Sequence, residues 1–174
     1  MKEILEKLKY SHEIGSFYTD IEDTGVSYTG YVSEVDDEYV LIAHISSRGL
    51  YDGFILREID DIFQIETNSE YGDKIKKLYE RKHQSHRKLD IKYSDNLLDS
   101  LLKYCCEKKI FVSIELSEND EYPTTGILQE TGDLLTIQVY DNYGNKCSIA
   151  YVRKEDIVVL SVDTDREQDI ALLS

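Results

Sequence analysis

Hydrophobic and polar positions alternate along this chain with two different periods, and the switches between them divide it into parts. Over residues 2–12, Ile4, Leu5 and Leu8 recur at helical spacing among lysines and glutamates, which predicts a short amphipathic helix. Residues 14–66 follow a period of two. The run from Val26 to Val35 is rich in β-branched and aromatic residues, and Asp36-Asp37-Glu38 reads as a turn. Tyr39, Leu41, Ala43 and Ile45 then alternate with one face inward, and Ser46-Ser47-Arg48-Gly49 reads as a loop. Phe54-Ile55-Leu56 and Ile62-Phe63-Gln64-Ile65 complete this β region. Helical spacing returns over residues 69–88 through Tyr71, Ile75, Leu78 and Tyr79. A further helix is predicted over 95–107, with Asp95 as its N-cap and Leu97, Leu98, Leu101, Leu102 and Tyr104 as its apolar face. Strands are predicted over 110–116, 124–131, 134–140, 146–153 and 157–162, with a hairpin turn at Asp141-Asn142-Tyr143-Gly144-Asn145. The acidic tail, 163–174, reads as frayed with at most a short helical turn.

The order of elements repeats, and so do residues. Gly30-Tyr31-Val32-Ser33-Glu34-Val35-Asp36-Asp37 is followed by Tyr39-Val40-Leu41-Ile42-Ala43. Gly126-Ile127-Leu128-Gln129-Glu130-Thr131-Gly132-Asp133 is followed by Leu135-Thr136-Ile137-Gln138-Val139, 96 positions later (126 − 30). Downstream the offset becomes 95, with Asp61-Ile62 on Asp156-Ile157. Upstream the reading is 94, with Lys9-Tyr10 on Lys103-Tyr104, Glu13 on Glu107 and Phe17 on Phe111. Small drifts are what loop-length changes produce. Two histories fit: a duplicated module, or two antiparallel sheets that share an alternation of period two. The expected organisation is a first helix and β module over 1–67, a basic helical linker over 68–94, and a second helix, β module and acidic tail over 95–174.

Charge sharpens this picture. The chain of 174 residues carries 35 acids against 20 bases, a net −15, which disfavours casual binding to nucleic acid or anionic membranes. Residues 71–92 run the other way. Eight basic residues there face three acidic ones, a balance of +5 that leaves −20 for the remainder. The basic set includes Lys74, Lys76, Lys77, Arg81, Lys82, Arg87 and Lys88. Fourteen tyrosines with no tryptophan favour contact surfaces, since a tyrosine can be half-buried and still hydrogen-bond. Cys105, Cys106 and Cys147 lack a zinc-type spacing and read as reduced thiols. No apolar run approaches the roughly 20 residues of a membrane span. A soluble protein of the cytoplasm, with no membrane partner, is expected.

Each module, a helix followed by about five short strands with a glycine in the second, resembles the Sm-like fold. That is the small bent barrel of RNA-binding ring proteins, itself a relative of SH3-like barrels. Gly126-Ile127-Leu128 looks like the start of the first Sm motif, and Tyr151-Val152-Arg153-Lys154-Glu155-Asp156-Ile157 like the second. The chain is also similar to duplicated proteins of low-GC Gram-positive bacteria. The resemblance covers roughly residues 4–66 and 97–163. It implies a mainly β (α+β) protein of two tandem five-stranded Sm-like barrels, each preceded by a short helix and joined by a basic helix. It also implies RNA contact by the closing arginines, Arg57 and Arg153. The base-contacting asparagine of the family is replaced by Val40 and Thr136. The glycine after the closing arginine is replaced by Glu58 and Lys154. The first-motif aspartate is kept as Asp36 but becomes Gly132 in the second copy.

Catalytic patterns are sparse. His83-Gln84-Ser85-His86 spaces two imidazoles at i and i+3 on the basic helix without the further ligands a metal needs, and a solvated helix face is the ordinary alternative. His12 and His44 are isolated. Asp36-Asp37, Asp60-Asp61 and the Glu118, Asp120, Glu121 group lie in expected turns. No metal, no cofactor and no enzymatic activity are expected. The leading expectation is a non-catalytic interaction or scaffold module that binds protein or forms a homo-oligomer. The first alternative is RNA binding through Arg57, Arg153 and the basic helix. The second is a small-ligand site or an enzyme using a cleft between the modules.

Overall fold

The computed structural model describes residues 1–118 and 121–174, so Asp120 of the expected acidic turn lies outside the described residues. The chain divides into two units, Met1–Asp90 and Ile91–Ser174. Both are mainly β.

The first unit contains α1 (Lys2–Ser11), β1 (Gly15–Tyr18), β2 (Tyr28–Val35), β3 (Tyr39–Ile45), β4 (Tyr51–Glu58), β5 (Gln64–Thr67) and α2 (Glu70–Arg81). Its strands pair antiparallel in the order β5-β1-β2-β3-β4. The second unit contains α3 (Leu97–Lys108), β6 (Phe111–Glu115), β7 (Thr124–Glu130), β8 (Leu134–Tyr140) and β9 (Lys146–Arg153). A 3₁₀ turn (Lys154–Asp156), β10 (Val159–Val162) and α4 (Asp165–Leu173) complete it. Its order, β10-β6-β7-β8-β9, is the same arrangement. In neither unit do β4 and β5, or β9 and β10, pair to close the sheet.

The strands of the two units share their irregularities. β2 shifts register between Val32 and Glu34, and β7 between Leu128 and Glu130. β3 shifts between Ala43 and Ile45, and β8 between Gln138 and Tyr140. Such bulges bend a strand and increase its twist. The glycine of the second strand has a steric reason. A Cβ on Gly30 would overlap the carbonyl oxygen of Ala43, and one on Gly126 that of Gln138. Beside these glycines lie buried hydroxyl pairs, Ser16 with Thr29 at 2.9 Å and Ser113 with Thr125 at 2.8 Å.

The upstream offset of 94 does not survive. Gly15 pairs with Gly30, and Val112 pairs with Gly126, so the first strands correspond at 97 (112 − 15). Sheet register decides this, because a slip by an odd number would turn every side chain to the opposite face. The helix C-caps obey the same offset: His12 and Lys109 both take left-handed φ, 52° and 53°.

Helices lie where the periodicity puts them, with three corrections. Asn96, not Asp95, caps α3, its Oδ1 accepting from the Asp99 amide at 2.8 Å. The helix predicted over 69–88 stops at Arg81; Ser69 caps its start and accepts from the Gly72 amide at 3.0 Å. The tail is not frayed. Residues Asp165–Leu173 form α4 behind a capping box in which Glu167 accepts from the Thr164 amide at 2.7 Å and its hydroxyl at 2.6 Å. Glu167 also accepts from Ser113 Oγ and is buried, as is Ile170. Helices α2 and α4 hold the same place in their units. Each follows a turn residue with positive φ, Asn68 at 55° and Asp163 at 58°. Each also presses a leucine on a loop glycine, Leu78 on Gly49 and Leu173 on Gly144.

The first unit buries side chains on both faces of its sheet. Leu5 and Leu8 of α1 pack with Phe17, Val32, Val40, Ile42, Ile59 and Ile62. Ile75 and Tyr79 of α2 pack with Ile14, Ile45 and Tyr31. Tyr31 and Val32 are neighbours on β2 yet join different clusters, as a pleated strand requires.

Candidate interaction surfaces

The closing arginines of the Sm-like reading do not occupy equivalent positions. Arg57 lies opposite Val40. The residue in that place in the second unit is Val152, opposite Leu135. Arg153 instead corresponds to Glu58, each opposite the first residue of the preceding strand, Leu134 and Tyr39. Alternation along the strand therefore turns the two arginines to opposite faces. The Arg57 side chain is fully buried, 3.3 Å from Asp61 Oδ2 and over the Tyr28 ring. Arg153 is exposed and pairs with Asp156 at 3.0 Å.

The basic residues fall into two groups. Lys74, Lys76, Lys77 and Arg81 are exposed on α2, whose buried side is made by Gly72, Ile75 and Tyr79. Beyond the helix, Lys82 in the closing turn, and Arg87 and Lys88 on the following segment that folds back on the first unit, are exposed. Lys82 Nζ reaches the Arg48 carbonyl at 2.5 Å. Gln84 accepts from the Tyr51 amide at 3.1 Å. Lys88 approaches Glu34 at 4.0 Å, and Lys9 of α1 meets the same carboxylate at 2.6 Å.

His86 fastens this segment. Its Nε2 donates to the Gly53 carbonyl at 2.9 Å, which leaves Nδ1 to accept from the Tyr79 hydroxyl at 2.7 Å. Its ring stacks on Tyr79 and meets Phe54 edge-on. Burial holds the imidazole pKa below its ordinary value, and burial pushes the Tyr79 hydroxyl up to about 12. His83 and His86 therefore do not share a solvated helix face. His83 follows the helix with φ of 54°, and His86 is mostly enclosed. Sequence reasoning missed this pin, because its partners are 7 and 33 residues away. His44 Nδ1 lies 3.1 Å from Asp52 Oδ2, and its ring meets Tyr28 edge-on. Between α1 and the 84–88 segment lies a groove of about 860 Å³, bordered by β2.

The second unit presents a different surface. β9 pairs with β8 and is the outermost strand there. Ile149, Tyr151 and Arg153 alternate on its outer face, and all are exposed, Tyr151 at 68 %; Cys147, beyond the register shift, is exposed as well. Leu134 on β8 extends the apolar area. The corresponding residues of β4, Phe54 and Leu56, are buried.

Chemistry is thin elsewhere. Among the described residues no group of three or more His, Cys, Asp or Glu side chains is placed to hold a metal. Burial pushes the Cys105 thiol strongly upward, and burial also raises Cys106, so neither is poised as a thiolate. No helix among the described residues is long and apolar enough to cross a membrane. No family model, curated protein or solved structure matches the chain.

Proposed function

We propose that this chain is a non-catalytic interaction module, a duplicated pair of Sm-like barrels that assembles with further copies of itself through open strand edges. The observation that carries this reading is β9. It is a long outermost strand whose outward face, Ile149 and Tyr151, is exposed where the matching face of the first unit is covered. An unpaired strand edge offers a row of backbone donors and acceptors to another strand. The chain supplies a complementary edge of its own. β5, the outermost strand beside β1, carries Glu66, whereas β9 begins and ends with Lys146 and Arg153. Pairing β9 of one copy with β5 of the next is a heterologous contact, which builds rings or filaments. Support for the duplication comes from the matched strand order, paired bulges, glycine contacts and closing helices.

Light scattering behind size exclusion tests the reading. The intact protein is expected to run as a concentration-dependent oligomer, and the Ile149→Lys, Tyr151→Glu double variant as a monomer with an unchanged far-ultraviolet spectrum. A wild-type protein that stays monomeric at high micromolar concentration sinks the proposal. RNA binding is the second reading, supported by the exposed lysines of α2. The burial of Arg57 removes one of the two arginines it had relied on.

A further inference from the structure

β1 accompanies β2 only as far as Gly30, the last residue of their ladder. From Tyr31 onward β2 is paired on one side by β3, and on the other it borders the 860 Å³ groove of the first unit. Tyr31, Val32, Ser33, Glu34 and Val35 all line that groove. Successive side chains of a strand point to opposite faces. Tyr31 packs toward α2 and Val32 toward α1, on opposite faces, and the groove takes in both together with the bulge between Val32 and Glu34, so it reaches round the open edge of the strand, not over one face alone.

The walls of the groove carry charge. Lys9 and His12 stand on the α1 side, and Arg87 and Lys88 on the side of the folded-back segment. Glu6 and Glu34 are the acids, and Glu34 is already engaged by Lys9 and Lys88. Arg87 makes no ion pair among the described residues and is exposed. Tyr10, 91 % exposed at the rim, offers an aromatic contact.

We infer that this groove is a docking site for an extended acidic peptide segment of a partner protein, laid as an added strand along Tyr31–Val35 with its carboxylates toward Arg87, Lys88 and Lys9. The surface is separate from β9, so the inference stands apart from the self-assembly reading. Main-chain pairing supplies the affinity in this mode, and side-chain charge selects the sequence. The groove volume lies within the roughly 300–1,000 Å³ of ordinary binding sites.

A fluorescein-labelled, acetylated peptide alternating glutamate with valine is the probe, read by anisotropy and by amide chemical shifts of the intact protein. Binding is expected, with shifts concentrated at residues 31–35. The Arg87→Glu, Lys88→Glu variant is expected to weaken it about tenfold, since both side chains are exposed and the fold does not depend on them. The decisive probe is backbone methylation. A strand edge uses alternate amides, so N-methylating one alternating set abolishes binding while methylating the other is tolerated. A merely electrostatic complex treats the two peptides alike. The proposal is overturned by absence of binding at millimolar peptide, by equal binding of the two methylated forms, by shifts confined to β9, or by a uridine oligomer that displaces the peptide from these same amides.

Discussion

Arg57 and Asp61 meet at 3.3 Å, the arginine fully enclosed and the carboxylate about one-third exposed. The same place in the second unit holds Val152 and needs no ion. The charge is therefore a local solution to packing in one sheet. Arg57→Ala, which leaves a void and a stranded carboxylate, is expected to cost about 3 kcal/mol in urea unfolding. Arg57→Met, which keeps the stem volume, is expected to cost about 1 kcal/mol. Neither is expected to change nucleic-acid affinity.

Gly30→Ala and Gly126→Ala test the strand contact in each unit. The added methyl meets a backbone carbonyl, which cannot swing aside as a flexible side chain would. Each change is expected to cost about 3 kcal/mol or more, seen as a lowered urea midpoint, and Gly132→Ala, whose methyl would meet only the Leu134 carbonyl oxygen at 3.9 Å, about nothing.

The pin at His86 makes the 84–88 segment sensitive to acid. An unfolded histidine titrates near ~6.5, and burial holds the folded pKa lower. Between the two values the unfolded chain binds a proton that the folded chain lacks, so stability falls as pH drops through that window and levels off below the folded pKa. The groups facing the imidazole are the Tyr79 hydroxyl, the Gly53 carbonyl, the Tyr51 ring, His44 and Asp52. The protection factors of the Gln84 to Lys88 amides, exchange rates corrected for their intrinsic pH dependence, are expected to fall on acidification from pH 7.5 toward the folded pKa (~6.5 marking the onset). His86→Gln is expected to flatten that response.

Much of the strand order was legible because alternation and the Gly30 and Gly126 boxes are local signals. The relation of Arg57 to Arg153 was not. Both arginines sit near a strand end, and only pairing register shows that one matches Val152 and the other Glu58. The role of residues 82–88 was hidden for a related reason. Their charge is a local property, but Tyr51, Gly53 and Phe54, which receive them, are a strand far away in sequence. The length of α4 exceeds the short helical turn expected in the tail because Glu167, by its sequence one more tail acid, serves as cap and buried acceptor at once.

Glu167→Ala accordingly removes three hydrogen bonds and is expected to destabilise the second unit by about 2–3 kcal/mol. Loss of α4 helicity with retained β structure in circular dichroism is the expected signature. Glu167→Gln, whose single amide oxygen can still accept from the Thr164 amide and hydroxyl while its NH2 turns to Ser113 Oγ, is expected to lose less.

The closing helix also sets where this protein can be cut. A fragment ended at the last strand of the first unit would strip Ile75 and Tyr79 from Ile14, Ile45 and Tyr31, leaving an oily sheet face bare to solvent. Such a piece would precipitate or be degraded, and its failure would be mistaken for an inability of the sheet to fold. Extending it through Asp90 carries along both the covering helix and the histidine that latches the segment behind it.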